Sequence, residues 1–445
     1  MATTRNDDVH ETARAAMKTA LAKGAKEAAA TVSRSRNVSL EWRDGKVEKI
    51  NEATTRGLTL QLFVDGRYSQ VSSSDLRPEA LETFISDSVA MTRALAEDPF
   101  RSLPDPALYR GRSSVDLQLE DPAYATVTPE ARRTAAQRLE ESARAVKGSE
   151  AILSVSTGVD DTRTETFRVA SNGFEGARVD TVFFASASVS VKDADGRRPE
   201  DYAFGGARFV GDLPDASGVG REAAERALAR LGSKKAPSAV MTLVVDNRAA
   251  GRLLGGLSGP LSGAALQQKR SFLEGKAGQA IGSPLLDVAD DPLLPKAFGS
   301  RLFDGEGLAA RKRPVFEKGV LRTFFVDTYY GKKLKMEPTT GGPSNLVWTL
   351  GPKSQAGILK DVGEGILVTG FLGGNSNGTT GDYSLGVQGF MIRGGAKAEP
   401  IGEMNIAGNM MDLLKRLAAV GNDPWPYSSN RTPTLVFEGV QFAGV

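Results

Sequence analysis

The chain has 445 residues, 40% of them hydrophobic and 25% charged, with 56 Lys and Arg against 54 Asp and Glu for a net charge of +2. That balance gives no electrostatic reason for a nucleic-acid or anionic-membrane partner, and the expectation is no nucleic acid and no membrane. Cysteine is absent and histidine occurs once, at His10, which removes disulfides, thiolate zinc sites, iron–sulfur clusters and a cysteine nucleophile, and leaves histidine chemistry a single residue.

At roughly 150 residues per domain, two or three domains are expected. The first thirty residues carry charges every few positions and lack the apolar run of a signal peptide. No stretch reaches about 20 apolar residues, and with the missing cysteines this points to the cytoplasm. Val9, Ala13, Ala16, Met17 and Ala20 predict an amphipathic helix over 8–22. Four short strands are expected over 28–74, punctuated by Asp44-Gly45 and Asp65-Gly66, which suit two-residue hairpin turns. Leu81, Phe84, Ile85 and Val89 then return to helical spacing. The same order recurs: Thr128-Pro129 opens a helix to about Val146, strands follow over 151–210 with a turn at Asn172-Gly173, and 221–231 reads as a helix.

Residues 232–237 are polar and helix-breaking, which sets a boundary between an N-terminal domain (1–235) and a C-terminal domain (236–445). Beyond it the chain is glycine-rich, with a strand at 240–245, a helix at 248–257, a hairpin at Lys318-Gly319, a long helix over 409–420 and a final strand at 434–442. The fold class is therefore α+β: a helix and antiparallel-sheet domain made of two similar units, then a mostly antiparallel β domain with packed helices.

Gly374-Asn375-Ser376-Asn377-Gly378 fits the G-x-S-x-G pattern, but residues 379–383 do not begin the helix that a nucleophile elbow needs, so a glycine-rich turn competes with a nucleophilic Ser376. His10, beside Glu11 on the polar side of the first helix, reads as a surface residue rather than a ligand or base. Asp287, Asp290 and Asp291 could hold a hard cation through oxygen or form a solvated turn before Pro292. Gly218-Val219-Gly220 and Gly363-Glu364-Gly365 do not extend to a phosphate-loop pattern.

In the C-terminal half, Thr380-Gly381-Asp382-Tyr383-Ser384-Leu385-Gly386-Val387-Gln388-Gly389-Phe390 resembles the TGDYSxGxxGF signature of the TldD/PmbA family, especially its TldE/PmbA branch. The segments 403–410 (EMNIAGNM), 420–423 (VGND), 269–273 (KRSFL) and 303–307 (FDGEG) are similar to further segments of that branch. In TldD-type chains an HExxxH helix supplies zinc ligands and a general base. The matching positions here are Gly255, Gly256 and Pro260, which can neither bind a metal nor activate water.

The resemblance therefore implies a non-catalytic subunit with no cofactor of its own, paired with a TldD-type metalloprotease subunit that carries the zinc, and acting on unfolded peptides bound as extended strands. It offers Thr380, Asp382, Tyr383, Ser384, Asn405 and Asn409 as residues facing a shared cavity; the competing reading is that they cap a turn of the sheet. Two other functions stand beside it. One is a self-sufficient hydrolase using Ser376 or a carboxylate-bound metal, and the other a peptide-binding homodimer.

Overall fold

The computed structural model describes residues 6–445; the reading of the first thirty residues rests in part on residues 1–5, which lie outside the described residues. Val9, Ala13, Ala16 and Ala20 form the buried stripe of α1 (Asn6–Ala22). Three strands follow, β1 (Glu27–Arg43), β2 (Lys46–Val64) and β3 (Arg67–Ser73), where the spacing predicts four. The polar run from Ser33 to Ser39 does not break β1, because the strand pairs along it with neighbours on both sides and its backbone groups stay satisfied. The turns fall where expected, with positive φ at Asp44 (46°), Gly45 (84°), Asp65 (49°) and Gly66 (75°). Helix α2 (Pro78–Arg93) buries Leu81, Ile85 and Val89.

The second unit opens with α3 (Pro129–Arg144), where the Thr128 hydroxyl accepts the Ala131 N–H at 3.1 Å. It continues through β4 (Ile152–Ala170), β5 (Glu175–Val191), β6 (Glu200–Ala207) and α4 (Ala216–Leu228). Both units share one six-stranded antiparallel sheet, ordered β3-β2-β1-β4-β5-β6. Its central pair runs without a register shift from Ala29↔Ala170 to Arg43↔Ser156, so the two units meet antiparallel about that pair.

The faces of this sheet differ. Ala30, Val32, Leu40 and Trp42 of β1 alternate inward with Val155, Val159, Phe167 and Val169 of β4, and pack under the four helices in two clusters. The intervening residues face the other way and are polar. On that open face the Ser35 and Thr164 hydroxyls stand 3.0 Å apart and Thr162 donates to Asn37 Oδ1 at 2.8 Å.

The C-terminal half is less regular. Strand β7 (Ala239–Val245) leads into α5 (Asn247–Leu254), α6 (Gly263–Gln267), β8 (Val288–Asp290), β9 (Arg313–Glu317), β10 (Val320–Leu321), α7 (Thr328–Leu334), β11 (Leu346–Trp348) and α8 (Gln355–Val362). Then come β12 (Gly365–Ser376), β13 (Asp382–Arg393), β14 (Ala396–Asn409), α9 (Met410–Lys415), β15 (Leu417–Val420), β16 (Asn430–Arg431) and β17 (Leu435–Ala443). One sheet is ordered β10-β9-β8-β11-β16 and the other β14-β13-β12-β7-β17-β15. In the second, β14 also pairs with β17 through Asn405↔Ala443 and Ile406↔Phe442, so the sheet curls back on itself. Pairing is mostly antiparallel; β12 with β7 and β11 with β16 are parallel.

The long helix expected over 409–420 is instead the short α9 followed by β15. Leu417 and Val420 pair with Phe437 and Leu435 of β17, and that sheet pairing overrides helical spacing. The two halves meet on the polar face of the N-terminal sheet at its ends. There Phe303 packs edge-on against Phe174 at 5.1 Å and Phe298 stacks on Phe184 at 5.7 Å. Among the described residues no helix is long and apolar enough to cross a membrane, which leaves strands out of account.

Candidate functional site

Segments far apart in sequence converge at the tip of the β12–β13 hairpin. Helix α5 is anchored by Ala250, Leu253 and Leu254 in the core and passes into a 3-10 turn at Gly255–Leu257. A methyl group at Gly256 would stand 3.4 Å from Ser376 Oγ and 3.6 Å from Met410 Cε; one at Gly255 would meet nothing within 4 Å. Pro260 Cγ lies 3.5 Å from the equivalent point on Gly378, and Phe272 donates its N–H to the Gly378 carbonyl at 3.0 Å. The degenerate motif, the 269–273 segment and the hairpin tip therefore form one neighbourhood.

The tip is held by its own side chains. Asn377 Oδ1 accepts the N–H groups of Thr379 (2.9 Å) and Thr380 (3.3 Å), while the backbone pairs Asn377 N with Asp382 O and Gly381 N with Asn377 O, each at 2.8 Å. Thr380 donates its hydroxyl to Asp382 Oδ2 at 2.7 Å. Asn409, opposite Asp382 in the β13–β14 register, donates to Asp382 Oδ1 (3.0 Å) and Thr380 O (2.9 Å), and its Oδ1 caps α9 through Met411 N (3.1 Å). The hydrogen bonds from Thr380 and Asn409 hold the Asp382 carboxyl below its usual range.

Five of the six proposed residues share this region's outer surface: Thr380, Asp382, Ser384 and Asn405 are exposed and Asn409 is half-buried. Tyr383 faces the other way from these five. Alternation along β13 turns its side chain into the core, where it is 6% exposed and burial pushes its hydroxyl up to about 12. Ser376 ends β12 and makes no hydrogen bond to a base among the described residues. His10 is on α1, its ring stacked on Phe167 at 4.0 Å.

Asp290 accepts from the Ser344 N–H at 2.6 Å and the Ser344 hydroxyl at 2.5 Å, and Asp291 accepts from Leu293 N at 3.1 Å and pairs with Lys312 at 3.0 Å. Their oxygens thus serve the loop structure. Among the described residues no group of three or more His, Asp or Glu could hold a metal. The zinc that the resemblance implies does not fit this chain's motif, because Gly255, Gly256 and Pro260 offer no side-chain donor.

Sequence reasoning missed a second polar constellation, around Arg168 of β4 and Arg301. Its only trace was the 303–307 segment. There Asp304 caps a turn through Glu306 N (2.9 Å) and Leu308 N (3.0 Å), and Glu306 accepts from Thr328 N (2.9 Å) and Oγ1 (2.5 Å).

The fold joins a helix-covered antiparallel sheet to a curled, glycine-rich C-terminal sheet. Family models match it in three places: the PmbA/TldA metallopeptidase domain 1 at residues 28–92, the central domain at 122–231 and the C-terminal domain at 238–444. The chain belongs to the PmbA/TldD metallopeptidase family. Metalloprotease PmbA of Escherichia coli O157:H7 is 28% identical over 419 residues, covering 93% of this chain and 91% of that protein. A solved structure from Bacteroides thetaiotaomicron is 41% identical with a TM-score of 0.95 and full coverage of both chains. TldE from Thermococcus kodakarensis shares the fold, with a TM-score of 0.85 at 20% identity over 97% of this chain and 100% of that one.

Proposed function

We propose that this chain is the non-catalytic subunit of a TldD/TldE-type zinc metallopeptidase complex of the cytoplasm, shaping a cavity and guiding unfolded peptides to a zinc site carried by a TldD-type partner. The observation that carries this reading is the pairing of an intact, hydrogen-bonded hairpin tip with a motif whose chemical positions are Gly255, Gly256 and Pro260. The tip presents Thr380, Asp382, Ser384 and Asn409, groups able to hold peptide N–H and C=O groups but lacking a nucleophile with its base.

Cleavage of an unfolded peptide in the presence of zinc tests the reading, with the chain alone and mixed with a TldD-type subunit. Activity in the mixture alone supports it. Turnover by the pure chain, abolished by Ser376→Ala, would instead assign the chemistry here, and native mass measurement separates a heterodimer from a homodimer.

A further inference from the structure

The open face of the N-terminal sheet is not uniformly covered. Where it meets the C-terminal half there is a pocket of about 380 Å³, walled by Thr164, Thr166 and Arg168 of β4, Arg178 of β5, and Arg301 and Asp304 from the C-terminal half. Arg168 is only 7% exposed. It donates to Thr31 Oγ1 at 3.2 Å and Gln61 Oε1 at 2.8 Å, both neutral, its Nε has no protein partner, and it forms no ion pair among the described residues. Arg301 is in the same position: its guanidinium reaches Thr340 Oγ1 (3.3 Å) and Gly342 O (2.5 Å), again neutral acceptors.

The nearby carboxylates offset this charge only from a distance: Glu306 and Asp304 act on Arg168, and Asp290 and Asp304 on Arg301, but none forms an ion pair with either guanidinium. Asp180 is shared between Arg178 (2.9 Å) and Arg208 (2.7 Å), and Asp304 spends Oδ1 on two backbone N–H groups while Oδ2 has no partner. Burial draws both Arg168 and Arg301 below the ordinary arginine range, against the opposing pull of the nearby carboxylates. A buried guanidinium without a paired anion is costly, and a carboxylate entering the pocket relieves that cost through charge-assisted hydrogen bonds. Asp180 and Asp304 in the wall favour a single negative charge over a dianion. The volume is within the range of small-ligand sites, and the Arg178 side chain, 34% exposed, stands at the mouth.

We propose that this pocket binds a carboxylate group of a peptide, contacted by Arg178 and Arg301 with the unpaired charge of Arg168 behind them. The carboxylate can be a chain terminus or an acidic side chain. The pocket is made wholly by this chain, so the proposal stands whether or not a catalytic partner is needed.

Calorimetric titration of the full chain at low salt tests it with four probes: N-acetyl-trialanine with a free carboxylate, its C-terminal amide, N-acetyl-Ala-Glu-Ala amide, and inorganic phosphate. The free acid is expected to saturate and to bind at least about tenfold more tightly than the trialanine amide. A glutamate-bearing amide that matches the acid shows that either carboxylate is accepted; one that matches the trialanine amide assigns the group to the terminus. Arg301→Gln should weaken binding about tenfold or more. Thr166→Glu leaves every arginine in place but supplies an internal carboxylate, so it should do the same while keeping a cooperative melt. The proposal fails if acid and both amides bind alike, if none saturates, if phosphate binds more tightly than the acid, or if Thr166→Glu binds as the parent does.

Discussion

Strand β4 runs 19 residues in the N-terminal sheet and meets β1 without a register shift, whereas β12, with 12 residues, shifts register against β13 twice, near Gly370 and Gly374. The first sheet is specified by what its side chains are: apolar residues on alternate positions, covered by helices on one face only. The second is specified in part by where side chains are missing. Leu367 O lies 1.9 Å from the point a Gly389 Cβ would occupy, and Leu372 O 2.6 Å from that of Gly386, so neighbouring strands pack through space that any other residue would fill. Regularity and close approach are thus two routes to a stable sheet, and they break in different ways.

The largest expected effect lies in the regular half. Arg132 of α3 and Asp161 of β4 form a buried two-pronged ion pair, at 2.5 and 3.0 Å, with side chains 4% and 2% exposed. Asp161→Ala leaves the guanidinium buried and unpaired, and should cost about 3–5 kcal/mol in urea unfolding, whereas Arg132→Met with Asp161→Leu should lose far less. Equal losses from the single and double changes would mean that packing, not charge pairing, holds α3 to the sheet. Gly389→Ala probes the other route. Its methyl group must push β12 and β13 apart, so a loss of about 3 kcal/mol is expected from an addition that would be nearly neutral on an exposed strand.

A third effect depends on pH. Tyr383 has its hydroxyl pushed up to about 12 by burial, against an ordinary value near 10. In this window the unfolded chain loses the proton first, so stability is intact below about pH 10 and falls as pH rises toward 12, by about 2.7 kcal/mol in all. Unfolding measured from pH 9 to 11.5 should show this slope, and Tyr383→Phe should flatten it. Burial also raises Tyr109 and Tyr124 in the N-terminal half and Tyr427 in the C-terminal half, which leaves a residual slope.

These contrasts explain what could be read from the chain. Asp44-Gly45, Asp65-Gly66 and Thr128-Pro129 act locally, so they marked the turns and the α3 start correctly. Four strands are expected over 28–74, but the two Asp-Gly turns divide that stretch into three, and β1 continues unbroken through 33–39 because it pairs on both sides there. Residues 409–420 were misread for a different reason: apolar spacing suits a helix, but the partner that makes Leu417–Val420 a strand is β17, distant in sequence. Within the site, the TGDYS run identified the hairpin tip, while period-two alternation along β13 was enough to turn Tyr383 inward. The Arg168 pocket left only the 303–307 segment as a trace, since its walls come from two halves of the chain.

The smallest effect separates the two readings of the tip. Asn409 ties Thr380 and Asp382 to the start of α9 with one side chain. Asn409→Ala removes cap and tie together and should cost about 1 kcal/mol; it should also let the Asp382 carboxyl drift up toward its usual range. Asn409→Asp keeps an oxygen to cap α9 but sets a second carboxylate against Asp382, so the helix should persist while the tip loosens. Hydrogen exchange at the Thr379, Thr380 and Gly381 amides reports the tip directly. If these residues shape a peptide path, Asn409→Asp should lower cleavage by the mixture with a TldD-type subunit while leaving the melting temperature nearly unchanged. If they only cap a turn, exchange will quicken and cleavage will stay at the parent level.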